Sequence, residues 1–199
     1  AENLKVTHYN NGDEISNITD NDDWGSYDEG QYGVYPTDED DASEAACGDD
    51  CADVYGNLYN WAVVNDERGV CPDGWHVPSD EDIIELEMYF GITEEEANSR
   101  GWRGTDEGSK LAGNSDLWND GNLENNSEFG MSGFTALPGG CRTDEDGAYT
   151  NMGSDGYFWS RGGGGRPGVR MRLLNYANPL VNRSYNPRNN GFSIRCLGD

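Results

Sequence analysis

Apolar residues in this chain fall in short clusters, parted by runs of Asp, Asn, Gly and Ser. The clearest periodicity lies between Ser79 and Gly91. Ile83, Leu86 and Phe90 recur on one helical face with Ile84 beside them. Ser79 is placed to cap the helix, and Asp80, Glu81 and Asp82 fill a first turn whose dipole favours acids. Gly91 supplies the stop. Thr93 with Glu96 reads as a second capping box opening a short helix near 94–99. Ahead of these, Pro72 and Pro78 bracket Trp75-His76-Val77, read as a short buried segment. Residues 58–64, LYNWAVV, fit a strand or a helix equally by periodicity. Residues 1–35 read as short strands and turns, with Asn11-Gly12 as a hairpin signal. After residue 100, GSKLAG, LWND, GFTALPGG, GYFWS, VRMRLLNY and GFSIRC read as loops and short strands. The fold class expected is α+β: one main helix, short antiparallel strands and long loops.

Composition changes this picture in one respect. The chain has 199 residues, of which only 34% are hydrophobic, and its mean hydropathy is −0.86, values that lean toward disorder. Aromatics at 11%, with six Trp and eleven Tyr, point instead to a folded, loop-rich chain with a modest aromatic core. Thirteen Lys and Arg stand against 38 Asp and Glu, a net charge of −25. Such a balance excludes nucleic acid as the main partner and disfavours an anionic membrane surface. No apolar run is long enough to span a bilayer, so no membrane insertion is expected. The charge is uneven: residues 1–60 hold sixteen acids and one base, residues 161–199 seven Arg and one acid. The two regions neutralise each other within one fold or attract head to tail between subunits.

Five cysteines are present, without a Cys-x-x-Cys pair and with only two histidines, so a zinc site is not expected. Cys71 and Cys196, each beside aromatic strand-like sequence, are paired, and Cys47 with Cys51 is a candidate small loop. Cys141 is then left over, as a buried thiol or a bond to another chain. Calcium is a candidate cofactor: Asp20, Asp22, Asp23 and Asp28, and then Asp49, Asp50 and Asp53, cluster hard oxygen ligands in loops, although neither segment has EF-hand spacing. Trp24, Trp102 and Trp118 sit in polar loops and are candidate sugar-stacking residues. Trp61, Trp75, Trp159, Phe134 and Phe192 are assigned to the core.

YGNLYNWAVV (55–64), CPDGWHVPSD (71–80), GSKLAG (108–113), SGFTALPGG (132–140), GYFWS (156–160) and GFSIRCLGD (191–199), in that order, together with the opening AENLKVTHYNNGDEI, resemble the Fibrobacter succinogenes major paralogous domain. The resemblance covers nearly the whole chain, 1–199, as one domain. It implies a C-type-lectin-like fold, distantly similar to formylglycine-generating enzyme domains, on secreted or surface proteins of Fibrobacter and Bacteroidetes-type bacteria. It also supports the Cys71–Cys196 bond. Members carry a strand ending in Trp-Met ahead of AENL, so the first family strand is expected to be missing here: absent, cleaved or supplied otherwise. Two further departures are Cys141, where members usually carry Tyr, and RGGGGRPG (161–168), where they carry a Ser-rich loop.

Catalysis is not expected. A formylglycine-type mechanism needs a reactive Cys pair near the end of the fold, and only Cys196 lies there. Two histidines offer no credible Ser-His-Asp set. The function expected first is an extracellular or cell-surface structural subunit that self-assembles into a filament or surface layer. In that reading Arg161, Arg166, Arg170 and Arg172 meet the acidic stretch 20–53 of the same or the next subunit. The alternative is a calcium-stabilised adhesin module for polysaccharide, and the third is a formylglycine-type enzyme.

Overall fold

A computed structural model describes residues 2–26, 28–36, 47, 50–162 and 168–199. It is mixed α+β, with many short strands and few helices. Strands β1 (Ser16–Asn17), β2 (Gln31–Gly33) and β3 (Leu58–Tyr59) form a small sheet. A pair joins β4 (Trp75–His76) to β11 (Leu197–Gly198). The main sheet has six strands in the order β5-β10-β9-β8-β6-β7. Its members are β5 (Gly101–Arg103), β6 (Gly139–Arg142), β7 (Tyr149–Met152), β8 (Asp155–Trp159), β9 (Val169–Asn175) and β10 (Asn178–Asn186). All its pairings are antiparallel except β6 with β8.

The main helix, α3 (Asp80–Tyr89), follows α1 (Cys51–Tyr55) and α2 (Trp61–Val64), and precedes α4 (Glu94–Asn98) and α5 (Glu107–Leu111). Ser79 caps α3 in a reciprocal box: its Oγ accepts from Asp82 N at 3.1 Å, and the Asp82 carboxylate accepts from Ser79 N at 2.8 Å. Just past the helix, Gly91 takes φ +126°, a conformation closed to side chains with a Cβ. Thr93 caps α4 without the reciprocal backbone bond: its hydroxyl accepts from Glu96 N at 3.3 Å and donates to Glu96 Oε2 at 2.9 Å. The ambiguous segment 58–64 divides: Leu58–Tyr59 is strand and Trp61–Val64 is helix.

Three expectations for local structure are corrected. GSKLAG lies on a helix, α5, because its small Gly108 lets the helix press onto β10; a Cβ there would sit 2.2 Å from Leu180 O. The opening LKVTHY makes only an isolated bridge, His8 to Glu14. The longest strand, β10, lies in NPLVNRSYN, a segment too polar for the apolar pattern to reveal.

The sheet is covered on both faces, so β9 and β10 carry side chains inward in both directions. On one side Val169, Met171 and Trp159 join Tyr59, Trp61, Phe192 and Ile194. Trp159 is fully buried, donates Nε1–H to Tyr59 O at 2.7 Å, and packs on Phe192 with centroids 4.3 Å apart. On the other side Leu174, Val181 and Phe158 join Ile92, Ala97, Leu111 and Leu123. Two disulfides, Cys71–Cys196 and Cys47–Cys51, brace the fold, and Cys141 is a buried free thiol.

Candidate functional site

Helix α3 does not bury a purely apolar stripe. Its inward residues are Asp80, Ile83 and Glu87. Positions 80 and 87 are two turns apart and so lie on one face. The sheet answers them with arginines. The register aligns Arg172 of β9 with Arg183 of β10, and Arg103 of β5 stands opposite Val181. Arg172 Nη1 donates to Asp80 Oδ1 at 2.8 Å and its Nε to Glu87 Oε1 at 2.7 Å. Arg183 Nη2 donates to Asp80 Oδ2 at 2.6 Å and Arg103 Nη2 to Glu87 Oε2 at 2.6 Å. Arg170 also bonds Asp80. Burial pushes the Asp80 carboxyl upward, but hydrogen bonds and charge from Arg183 and Arg172 outweigh it and hold it at about 2. Burial lowers the Arg103 guanidinium against the pull of Glu87.

This network corrects the interface expectation. Arg172 is only 4% exposed and pairs inside its own subunit, because it lies on the sheet face under α3. The partner of Arg170 and Arg172 is the α3 carboxylate pair, and none of the described residues of the acidic stretch 20–53 makes an ion pair with them. Arg161 is exposed and makes no ion pair among the described residues; Arg166 lies outside them.

Several described residues of the acidic loops have partners within the chain. Among the described residues, no group of three His, Cys, Asp or Glu is placed to hold a cation. Asp20 accepts from the backbone N–H of Asp22, Asp50 caps α1 by accepting from Ala52 N, and Asp53 pairs with Lys5 at 3.1 Å. Asp23 and Asp28 join no such group, and Asp49 lies outside the described residues. The loop around 18–24 is gathered by Arg142, a cation the chain itself supplies. Its guanidinium donates to Ile18 O at 2.5 Å, Asp20 O at 3.0 Å and Gly147 O at 2.8 Å.

That arginine also decides the fate of Trp24. The indole lies 4.3 Å from the Arg142 guanidinium and is buried, so it offers no face to a sugar. Trp118 is buried as well, donating to Gly113 O at 3.2 Å. Both sit in polar sequence and are covered by residues remote in the chain or by backbone. Trp102 remains available at 41% exposure, on edge strand β5. Trp75 moves the other way: expected in the core, it is 45% exposed. Its partner strand is only Leu197–Gly198, and glycine opposite the indole covers nothing. Trp61, Trp159 and Phe192 are buried; Phe134 is half-buried.

Two concave surfaces among the described residues lie beside these side chains. One is an open cleft of about 520 Å³ along α3, lined by Glu81, Ile84, Glu85 and Met88 on the helix side and by Arg170 and Arg183 on the sheet side. The other, about 100 Å³, lies beside Trp75, His76, Asn10, Asp66 and Arg161. His76 sits between two carboxylates, Asp199 at 2.7 Å and Asp82 at 3.4 Å. The free thiol of Cys141 is buried, and desolvation raises it to about 12.

A family model described as the Fibrobacter succinogenes major domain matches residues 1–197. The chain belongs to this family. No curated protein and no solved structure gives a significant match. The family's specific function is unknown, so membership assigns no chemistry to either cleft. The two disulfides are compatible with an oxidising exterior. Among the described residues, no helix is long and apolar enough to cross a membrane.

Proposed function

We propose that this chain is a non-catalytic, extracellular or cell-surface structural subunit that associates with copies of itself, on a scaffold of the C-type-lectin-like type. The observation that carries the reading is the outer face of α3. Tyr89 is 83% exposed and Met88 40% exposed, beside half-buried Ile84 and an open cleft of about 520 Å³. Tyr and Met are side chains enriched at interfaces, and here they stand on a surface otherwise dominated by acids. The absence of turnover is supported by Cys196, which is locked in a disulfide, and by Cys141, whose thiol is desolvated and inaccessible to substrate.

The test is light scattering and electron microscopy of the full chain as concentration and salt are raised. At −25 the subunits repel, and at ~1 M salt the screening length falls to about 3 Å. Association through an apolar face should therefore grow with salt. The double variant Met88→Glu/Tyr89→Glu should stay monomeric with an unchanged melting temperature. A wild-type chain that remains monomeric at high concentration and high salt sinks the proposal, as does a double variant that assembles normally.

A second reading, a polysaccharide-binding module, is favoured by Trp102. The register places it in a cross-strand row with Asn182, Leu173 and Tyr157. Retention on immobilised polysaccharide that Trp102→Ala abolishes is the outcome this reading requires. Retention with and without added calcium tests the metal.

A further inference from the structure

We propose that the Trp75 cleft is a separate carbohydrate site, which takes one neutral sugar ring against the exposed indole. It shares its ligand class with the second reading above but lies on β4 and the loops beside it, away from the strand that carries Trp102.

The backbone that carries the indole is held firmly. Trp75 N donates to Pro72 O at 3.0 Å, Asp199 N to Gly74 O at 3.0 Å, and Gly198 stands opposite Trp75 across the β4–β11 pair. Cys71–Cys196 ties the segment before β4 to the segment before β11. Backbone order at the site lowers the entropy lost when a ligand covers the indole. The neighbours of Trp75, Cys71 and Val77, are buried, so the indole marks the rim of the packed core.

The polar groups around the cleft suit hydroxyls. Asn10 is anchored through its backbone to Gly69 O at 2.9 Å and through Nδ2 to Cys71 O at 2.8 Å. Its Oδ1 accepts no hydrogen bond within the described residues, so it is left as a fixed acceptor. Asp66 is held in a two-pronged pair with Arg68, at 2.9 and 2.7 Å, which lowers its carboxyl and keeps it an acceptor. Arg161 N donates to Pro78 O at 2.7 Å, which fixes its backbone at the cleft while its side chain remains exposed and without an ion pair among the described residues. One flat apolar face bordered by a carboxylate, an amide oxygen and a guanidinium matches a pyranose, which has an apolar face and a rim of alternating donors and acceptors.

Charge selects among sugars. Asp66 is balanced by Arg68, Asp82 and Asp199 flank His76, and the whole chain carries −25. A uronate or sulfated polymer would be repelled on approach. A neutral polysaccharide presents hydroxyls without that penalty. The cleft volume, about 100 Å³, accepts part of one ring rather than an extended oligosaccharide.

The test is affinity electrophoresis of the full chain through gels containing a neutral β-glucan, a xylan or a mannan, with polygalacturonate as the polyanion. Wild type should be retarded by at least one neutral polymer. Trp75→Ala should weaken that retardation roughly tenfold or more, the loss expected when an aromatic anchor is truncated. Trp75→Phe should retain part of it, and Asn10→Ala should weaken it while Trp102→Ala leaves it intact. Melting temperatures of Trp75→Ala and Trp75→Phe, read beside the gels, separate lost binding from lost fold. Retardation abolished by Trp102→Ala but not by Trp75→Ala overturns this site and leaves the second reading standing. No retardation by any neutral polymer, or retardation by polygalacturonate alone, overturns it outright.

Discussion

Replacing Asp80 by Asn probes the feature that organises the helix against the sheet. Asp80 is 3% exposed and accepts from Arg172 at 2.8 Å and from Arg183 at 2.6 and 3.1 Å, with Arg170 as a third partner. The amide keeps the shape and removes the charge. Arg172 retains Glu87, but Arg183 is left with the carbonyls of Asn98 and Ser99. Removing one partner of a buried ion pair costs about 3–5 kcal/mol, because the remaining charge stays desolvated. Urea denaturation at neutral pH should show a loss in that range. The pH dependence supplies a second, independent signature. The folded carboxyl sits at about 2 against an ordinary 3.8, so the unfolded chain takes up this proton more readily. The resulting stability, on the order of 2 kcal/mol, is complete above about pH 4 and disappears as the pH falls toward 2. The stability gap between wild type and Asp80→Asn should narrow by that amount across the same window. Glu81→Gln, an exposed neighbour, should change stability by less than about 0.5 kcal/mol. A loss below about 1 kcal/mol for Asp80→Asn, or a gap that stays flat through the acid range, would refute the assignment of Asp80 as the hub.

Reduction of Cys71–Cys196, which closes a separation of 125 residues, should cost about 5 kcal/mol by loop entropy and lower the melting temperature markedly; an unmoved midpoint contradicts this. The Cys141 thiol, buried and raised to about 12, should resist a thiol reagent in the native protein and react once denaturant is added. Rapid native labelling is incompatible with its placement. Gly108→Ala should destabilise by about 1–3 kcal/mol, since its Cβ would meet Leu180 O at 2.2 Å; calorimetry showing a gain, as expected for alanine in an unconstrained helix, would contradict the packing of α5 on β10.

Signals carried by neighbours in sequence were legible; signals carried by distant partners were not. Ser79, Asp82 and Gly91 announce the limits of α3 because capping is local chemistry. The same sequence gives no hint that Asp80 and Glu87 point inward, because acids in a first turn and on a helix side ordinarily face water. The only available clue was the alternation of Arg170 and Arg172 in a strand otherwise apolar, which sets like charges on one sheet face and calls for a counter-charge. The tryptophans failed for the same reason in both directions. Trp24 and Trp118 lie in polar sequence but are covered by Arg142 and by the Gly113 backbone region. Trp75 sits between prolines in an apolar segment, yet its cover is a two-residue strand ending in Gly198. β10 is hidden in the sequence because Asn182, Arg183 and Ser184 do not resemble a central strand, although Arg183 is buried with its ion pair.

The uneven charge of the chain takes on a different meaning once its arginines are located. Seven arginines in the last 39 residues suggest a basic patch able to neutralise the acidic first third. Three of them, Arg170, Arg172 and Arg183, instead compensate the α3 carboxylates, and Arg195 is buried at 1% exposure. Less positive charge is therefore available to dock on acidic loops than the seven arginines suggest. Contact between copies driven by opposite charge would weaken as salt rises. Contact through Met88 and Tyr89 has to overcome repulsion and strengthens as salt rises. The direction of the salt effect thus separates the two mechanisms without any mutation. Association that declines with salt would return the role to the exposed Arg161 and the basic loop that follows it, and would remove α3 as the contact face.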